Sequence, residues 1–151
     1  MQFVDQVGAI SCELRAPISA QIVEVFREPA CPWCPGKRGV VYATSPGALV
    51  NSGASGIVSF AGQVGGIKYV VVRTSNGVLV THGYLTATSL RSGDPVAVGE
   101  AIGWVDERLY FGVRIDGRYI DPMRCMAIGT FATRRAVLIP EPMRSPASRT
   151  P

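Results

Sequence analysis

Few residues in this chain could carry out chemistry. Its 151 residues include one histidine, His82, and four cysteines, Cys12, Cys31, Cys34 and Cys125. A catalytic zinc takes three His or carboxylate ligands and keeps a position open for water. A Ser–His–Asp triad needs a nucleophile and an orienting acid around its histidine. His82 alone supplies neither arrangement. Its plainer reading is a partly buried imidazole bonded to Tyr84 or to a backbone carbonyl. No cofactor is expected.

The cysteines offer more. In Cys31-Pro32-Trp33-Cys34 the spacing permits a tight disulfide, a thiol redox pair or half of a zinc knuckle. A thioredoxin-like redox pair sits between a strand and a helix, and Pro29, Pro32, Pro35 and Gly36 forbid a helix after the motif. A four-Cys zinc site shows two such pairs, whereas Cys12 and Cys125 stand alone. Two disulfides are the favoured reading, with free thiols next.

The elements that would position these residues are strands. Short β-branched segments recur between Gly-rich or Asn-Gly punctuation, and no apolar period of 3.6 persists. Strands are predicted at Gln21 to Val25, Val40 to Ala43, Leu49 to Asn51, Gly56 to Ala61, Tyr69 to Thr74, Val78 to Gly83, Ala101 to Val105, Leu109 to Ile115 and Arg118 to Ile120. Asn76-Gly77 and Asp116-Gly117 are hairpin signals, because such residues tolerate positive φ. Close spacing of this kind makes an all-β chain, a small sandwich or barrel.

Charge narrows the function classes. Cations and acids balance up to Pro122, so the formal net charge of +4 comes from the segment beyond it. A neutral body argues against nucleic-acid binding, which needs a basic stripe on the fold itself. The Arg134-Arg135 pair and Arg144 leave a membrane-proximal, anionic contact open, a solvated flexible end being the plainer reading. No apolar run is long enough to span a bilayer. Residues 1 to 15 do not read as a secretory signal. Oligomeric state is left open.

Between Lys37 and Pro122 the order of landmarks resembles the lysostaphin-type (LytM-like) peptidoglycan zinc endopeptidases. Lys37-Arg38-Gly39-Val40-Val41 stands where the family has His-x-Gly-x-Asp, followed by Ser45-Pro46-Gly47-Ala48-Leu49-Val50 for its Pro-Gly turn and Ser55-Gly56-Ile57-Val58 for its Gly-x-Val strand. Thr81-His82-Gly83-Tyr84-Leu85 stands for Tyr-x-His-Leu. Arg91 to Gly103, including Gly93-Asp94-Pro95-Val96, follows the family's Gly-Asp-x-Val turn and strand. Arg108-Leu109-Tyr110-Phe111 stands for His-Leu-His-Phe, and Tyr119-Ile120-Asp121-Pro122 for Val-Asp-Pro. The Gly-Asp turn alone is similar to carrier domains as well, but Asn76-Gly77 offers no hairpin-tip Lys.

The resemblance implies the family's β-fold without its metal. The zinc and catalytic positions fall on Lys37, Val41, Tyr84, Arg108 and Tyr110, none of them His or Asp, so no metal is expected. Strand parity predicts that His82, Tyr84, Arg108 and Tyr110 line one groove with Arg38 near it, where they would hold peptidoglycan peptide or engage a cell-wall hydrolase. The phenols could equally be groove filling. The implied role is a non-catalytic, extracytoplasmic wall module, the alternative being an active endopeptidase with an unrecognised site. Residues 1-13 would be an N-terminal extension, 14-126 the domain and 127-151 a mostly flexible tail. Because chain ends of a folded unit commonly lie close together, Cys12 is expected to bridge to Cys125, and Cys31 to Cys34.

Overall fold

The computed structural model describes residues 2–126 and 129–139, with side chains described for 11–126. Two compact units are present, Ser11–Gly129 and the chain ends, 2–10 with 130–139. In the chain ends, β1 (Gln2–Cys12) pairs with β11 (Gly129–Ile139) as a two-stranded sheet. The β11 strand takes in Ala136 to Ile139. Residues from Pro140 onward, with Arg144, lie outside the described residues.

The larger unit is all-β, as its strand spacing predicts, with one short 3₁₀ turn at Pro122–Cys125. Its strands are β2 (Gln21–Glu24), β3 (Gly39–Ala43), β4 (Ala48–Asn51), β5 (Gly56–Val64), β6 (Ile67–Arg73), β7 (Leu79–Ala87), β8 (Pro95–Val96), β9 (Ala101–Ile115) and β10 (Arg118–Ile120). The expected sandwich or barrel resolves into one antiparallel sheet, β2-β3-β9-β7-β6-β5-β8, open at both ends. Strands β4 and β10 also pair with β9.

Strand β9 organises the whole unit. It runs 15 residues where the sequence predicts two strands. Asp106-Glu107-Arg108 looks like a break because it is charged, but these side chains are exposed and the backbone ladder continues. The Thr44 hydroxyl donates to the Asp106 carbonyl at 2.8 Å, and the Thr44 amide donates to that of Glu107 at 2.9 Å. On one edge β9 meets β7; on the other it meets β4, β3 and β10 in turn. Val105, Leu109, Phe111, Val113 and Ile115 are buried while Trp104, Asp106, Arg108 and Arg114 are exposed, the period-2 alternation of a strand with one face on a core. Val40, Val50, Val58, Val70, Val72 and Val80 complete that core.

The hairpin turns use two devices. Between β9 and β10, Asp116 (φ 50°) and Gly117 (φ 74°) both adopt positive φ, the two-residue turn whose twist matches its strands. At Ser75-Asn76-Gly77 only Gly77 does so. Asn76 instead donates from Nδ2 to the Ser11 carbonyl at 2.7 Å, tying the turn to the start of the unit. Two disulfides close the fold, Cys12–Cys125 (Cα–Cα 5.3 Å) and Cys31–Cys34 (Cα–Cα 5.0 Å).

Candidate functional site

The face of β9 opposite the core is built from glycines and tyrosines. Register places Val41 of β3 and Gly83 of β7 on either side of Tyr110, and Gly39 beside Gly112. A Cβ on Gly39 would lie 2.7 Å from the Tyr110 ring, and one on Gly112 would lie 2.6 Å from its hydroxyl. The phenol therefore rests on bare backbone. Gly83 offers the same floor to Tyr69, whose ring would lie 2.8 Å from a Cβ there. Burial, helped by the neighbouring Tyr119 and Tyr69, pushes the Tyr110 phenol up to about 12, so at neutral pH it is an uncharged hydroxyl.

Tyr84 reaches this face by an irregular route. Strict alternation from His82 would point it into the core. The β7–β9 register slips at this residue, with Gly83 opposite Tyr110 but Leu85 opposite Val105, and Tyr84 takes φ 65°. A side chain in that region costs roughly 1–2 kcal/mol. The outcome is a stack in which the Arg108 guanidinium carbon lies 3.9 Å from the Tyr84 ring centroid, well inside cation–π range.

Cations and acids complete the site, Asp106 and Glu107 lining a pocket with Tyr84 and Arg108. Lys37 Nζ lies 2.6 Å from Glu24 Oε1. Glu24 is held below the usual carboxylate range first by that hydrogen bond, then by the Lys37 charge, with Arg108 adding to it. Arg38 sits by Tyr119, 5.7 Å from its ring centroid. Its Nη2 donates to the Pro32 carbonyl at 2.8 Å and to that of Cys34 at 3.5 Å, so Arg38 braces the Cys31–Cys34 loop.

His82 does not belong to the groove, contrary to the parity expectation. It pairs with Phe111 across β7 and β9 and shares that residue's face, fully buried. Its Nε2 accepts from the Gly53 amide at 3.1 Å and its Nδ1 lies 3.2 Å from the Val70 carbonyl. That places the proton on Nδ1. Burial lowers its pKa to about 4. Tyr84, Arg108 and Tyr110 lie on the outer face, with buried Val41 beside Tyr110 and Lys37 tied to Glu24.

Three residues of this face escaped the sequence reading: Glu24, Tyr69 and Tyr119. Tyr119 had a signal, since the Asp116-Gly117 turn sets it opposite Arg114. Tyr69 becomes visible only through its register with Gly83, and Glu24 through its register with Val41.

This donor set does not fit a zinc ion. Lys37 and Arg108 are cations, Val41 is apolar, and the Tyr110 phenol holds its proton to about 12. Glu24 already accepts from Lys37, and Asp106 and Glu107, which line a pocket with Tyr84 and Arg108, have no His beside them to complete a ligand set. Among the described residues no cluster of three His, Cys, Asp or Glu could hold a metal.

Comparison with known proteins now gives the kinship. Residues 35–122 match peptidase family M23. The DD-carboxypeptidase/endopeptidase Mpg of Neisseria meningitidis is 33% identical over 93 residues, 56% of this chain and 21% of Mpg, so the chain spans about a fifth of that relative. The structure of Helicobacter pylori Csd3 superposes with a TM-score of 0.70 at 27% identity, over 80% of this chain and 36% of that one. Lysostaphin from Staphylococcus simulans shares the fold with a TM-score of 0.63 at 21% identity, over 76% of this chain and 53% of that one. The match begins at Pro35, just past the Cys31–Cys34 bridge, ends at Pro122 and spans the tyrosine-lined face, and the chain therefore belongs to peptidase family M23.

Proposed function

We propose that this domain is a non-catalytic member of the family, an extracytoplasmic module that binds peptidoglycan peptide in the outer groove or positions a wall hydrolase there. The observation that carries the reading is the replacement set itself. At the positions that the resemblance assigns to the metal and its bases, the chain carries the Tyr84–Arg108 stack, the Tyr110 phenol on its glycine floor and Lys37 paired with Glu24. These groups recognise rather than cleave. Arg108 can meet a peptide carboxylate by charge-assisted hydrogen bonds, Glu24 can meet an amine, and Tyr69 and Tyr84 offer flat apolar surface to a backbone. Two disulfides support an oxidising compartment.

The test combines metal analysis with binding. Protein purified without chelator should hold under about a tenth of an equivalent of zinc, and chelator should leave its Tm unchanged, whereas a structural zinc contributes on the order of 10 kcal/mol. It should retain soluble muropeptides or a co-expressed wall hydrolase on a column. Arg108→Ala and Tyr84→Ala should lose that retention with Tm shifted by only a few degrees. Release of soluble fragments from peptidoglycan by the zinc-supplemented protein would overturn the reading in favour of an active endopeptidase.

A further inference from the structure

Outside the groove, the loop between β2 and β3 holds the most exposed large apolar side chain described, Trp33, at 86%. A single exposed indole is ordinary on a protein surface. The loop that carries this one is braced at every level. At its base Arg27 and Lys37 exchange both backbone hydrogen bonds, at 2.9 and 2.8 Å. Higher up, the Cys31–Cys34 bridge encloses Pro32 and Trp33, and the Cys34 amide donates to the Cys31 carbonyl at 3.0 Å. Arg38 pins the same turn from below through the carbonyls of Pro32 and Cys34. Pro29 packs so closely on Gly36 that a Cβ there would fall 2.7 Å from its ring. A loop fixed in this way cannot fold Trp33 back onto the body.

The turn that carries the indole also gives Cys31 and Pro32 to a cleft lined with them by Glu28, Pro29, Arg38, Arg118 and Tyr119. Its charges are largely spent internally. Arg118 pairs with Glu28 at 3.3 Å, Lys37 with Glu24, and Arg38 with backbone carbonyls. A lipid surface needs a cluster of free cations around its aromatic anchor, and Arg27 alone does not make one. A flat apolar face next to a few hydrogen-bonding groups of balanced charge suits a neutral partner with one apolar side and polar edges. A pyranose ring has that character: its axial C–H bonds stack on an indole, and its hydroxyls reach an exposed carboxylate or guanidinium.

We propose that the Cys31–Cys34 loop is a saccharide platform, with Trp33 stacking on a pyranose of a glycan chain and Glu28 and Arg118 taking its hydroxyls. The platform adjoins the groove, sharing Arg38 and Tyr119 with it but using Trp33, Glu28 and Arg118 in place of Tyr84 and Arg108, and would let one domain hold glycan and peptide at once. The bridge serves it by ordering Trp33 before the ligand arrives, which removes a binding cost.

The chain has two tryptophans, so Trp104→Phe leaves Trp33 as the only indole. Titrating that variant with the tetrasaccharide of N-acetylglucosamine should quench or shift its emission, saturating with Kd near or below about 1 mM. By calorimetry, Trp33→Ala in the parent chain should weaken binding at least tenfold with Tm unchanged. Cys31→Ser with Cys34→Ser should weaken it several-fold. Tyr84→Ala and Arg108→Ala should leave the saccharide titration as it is, which separates this site from the groove. An emission spectrum unmoved by saccharide, or Trp33→Ala binding as the parent does, would overturn the proposal. So would a shift produced only by anionic phospholipid vesicles.

Discussion

Acid should loosen this domain through its one histidine, and the size of the effect can be worked out in advance. His82 is fully buried and accepts the Gly53 amide at Nε2. Protonating that nitrogen would set N–H against N–H in a site walled by Phe111, 5.3 Å between ring centroids. Burial accordingly holds the ring's pKa at about 4, against 6.5 when exposed. Below pH 6.5 the unfolded chain binds a proton that the native protein refuses, so stability falls as pH falls. The slope is about 1.4 kcal/mol per pH unit, and the loss levels off below about pH 4, where the native ring protonates too. The total is about 3 kcal/mol, a large share of the 5–15 kcal/mol typical of a domain.

Urea midpoints measured from pH 7.5 to pH 4 should follow that slope, while His82→Gln should remove it from the upper part of the range. Glu24, held low by Lys37 and lying at the surface, acts only as pH falls further through the carboxylate range. A native His82 NMR signal titrating near 6.5, or equal pH profiles for the parent and His82→Gln, would refute the argument.

Three further outcomes are expected. Replacing Cys12 and Cys125 with Ser opens a bridge spanning 113 residues, which in the chain-entropy model costs about 4 to 5 kcal/mol and should appear as a lower urea midpoint. In an ultraviolet titration one phenol should resist ionisation to about 12, and Tyr110→Phe should remove that step. Gly39→Ala would press a Cβ to 2.5 Å from the Phe111 carbonyl oxygen and 2.7 Å from the Tyr110 ring. It should therefore lower stability by about 1 to 3 kcal/mol, with Tyr110→Ala in the same chain recovering only the ring's part.

What could be read from the sequence was what local pattern encodes. Runs such as Tyr69 to Arg73, and turns such as Asp116-Gly117, announce strands and hairpins because β-branching and positive φ are properties of single residues. Two readings went astray where local pattern and ladder geometry part company. Asp106 to Arg108 looked like a loop, yet an exposed stretch can stay in a strand when its backbone is paired, as Thr44 pairs it here. His82 and Tyr84 looked like neighbours on one face, yet the register slip and the positive φ of Tyr84 send them to opposite sides. The partners of the outer face, Tyr69 over Gly83 and Glu24 beside Val41, meet across neighbouring strands, in a register that neither strand shows alone. Only the register joins them.

The sharing of β9 among four strands bears on how the domain is made. The meander β5-β6-β7 needs only near neighbours and can form as soon as it leaves the ribosome or a translocation pore. Strand β3 can pair early with β2, but its other edge and β4 must wait, Gly39 for Gly112 and Ala48 for Val105. Such distant pairings make folding slow, because loop entropy must be spent before contacts return it. Through that interval β4 and the open edge of β3 stay unpaired, an invitation to aggregation. Of all its segments, β9 is the one whose arrival turns a growing chain into a protein.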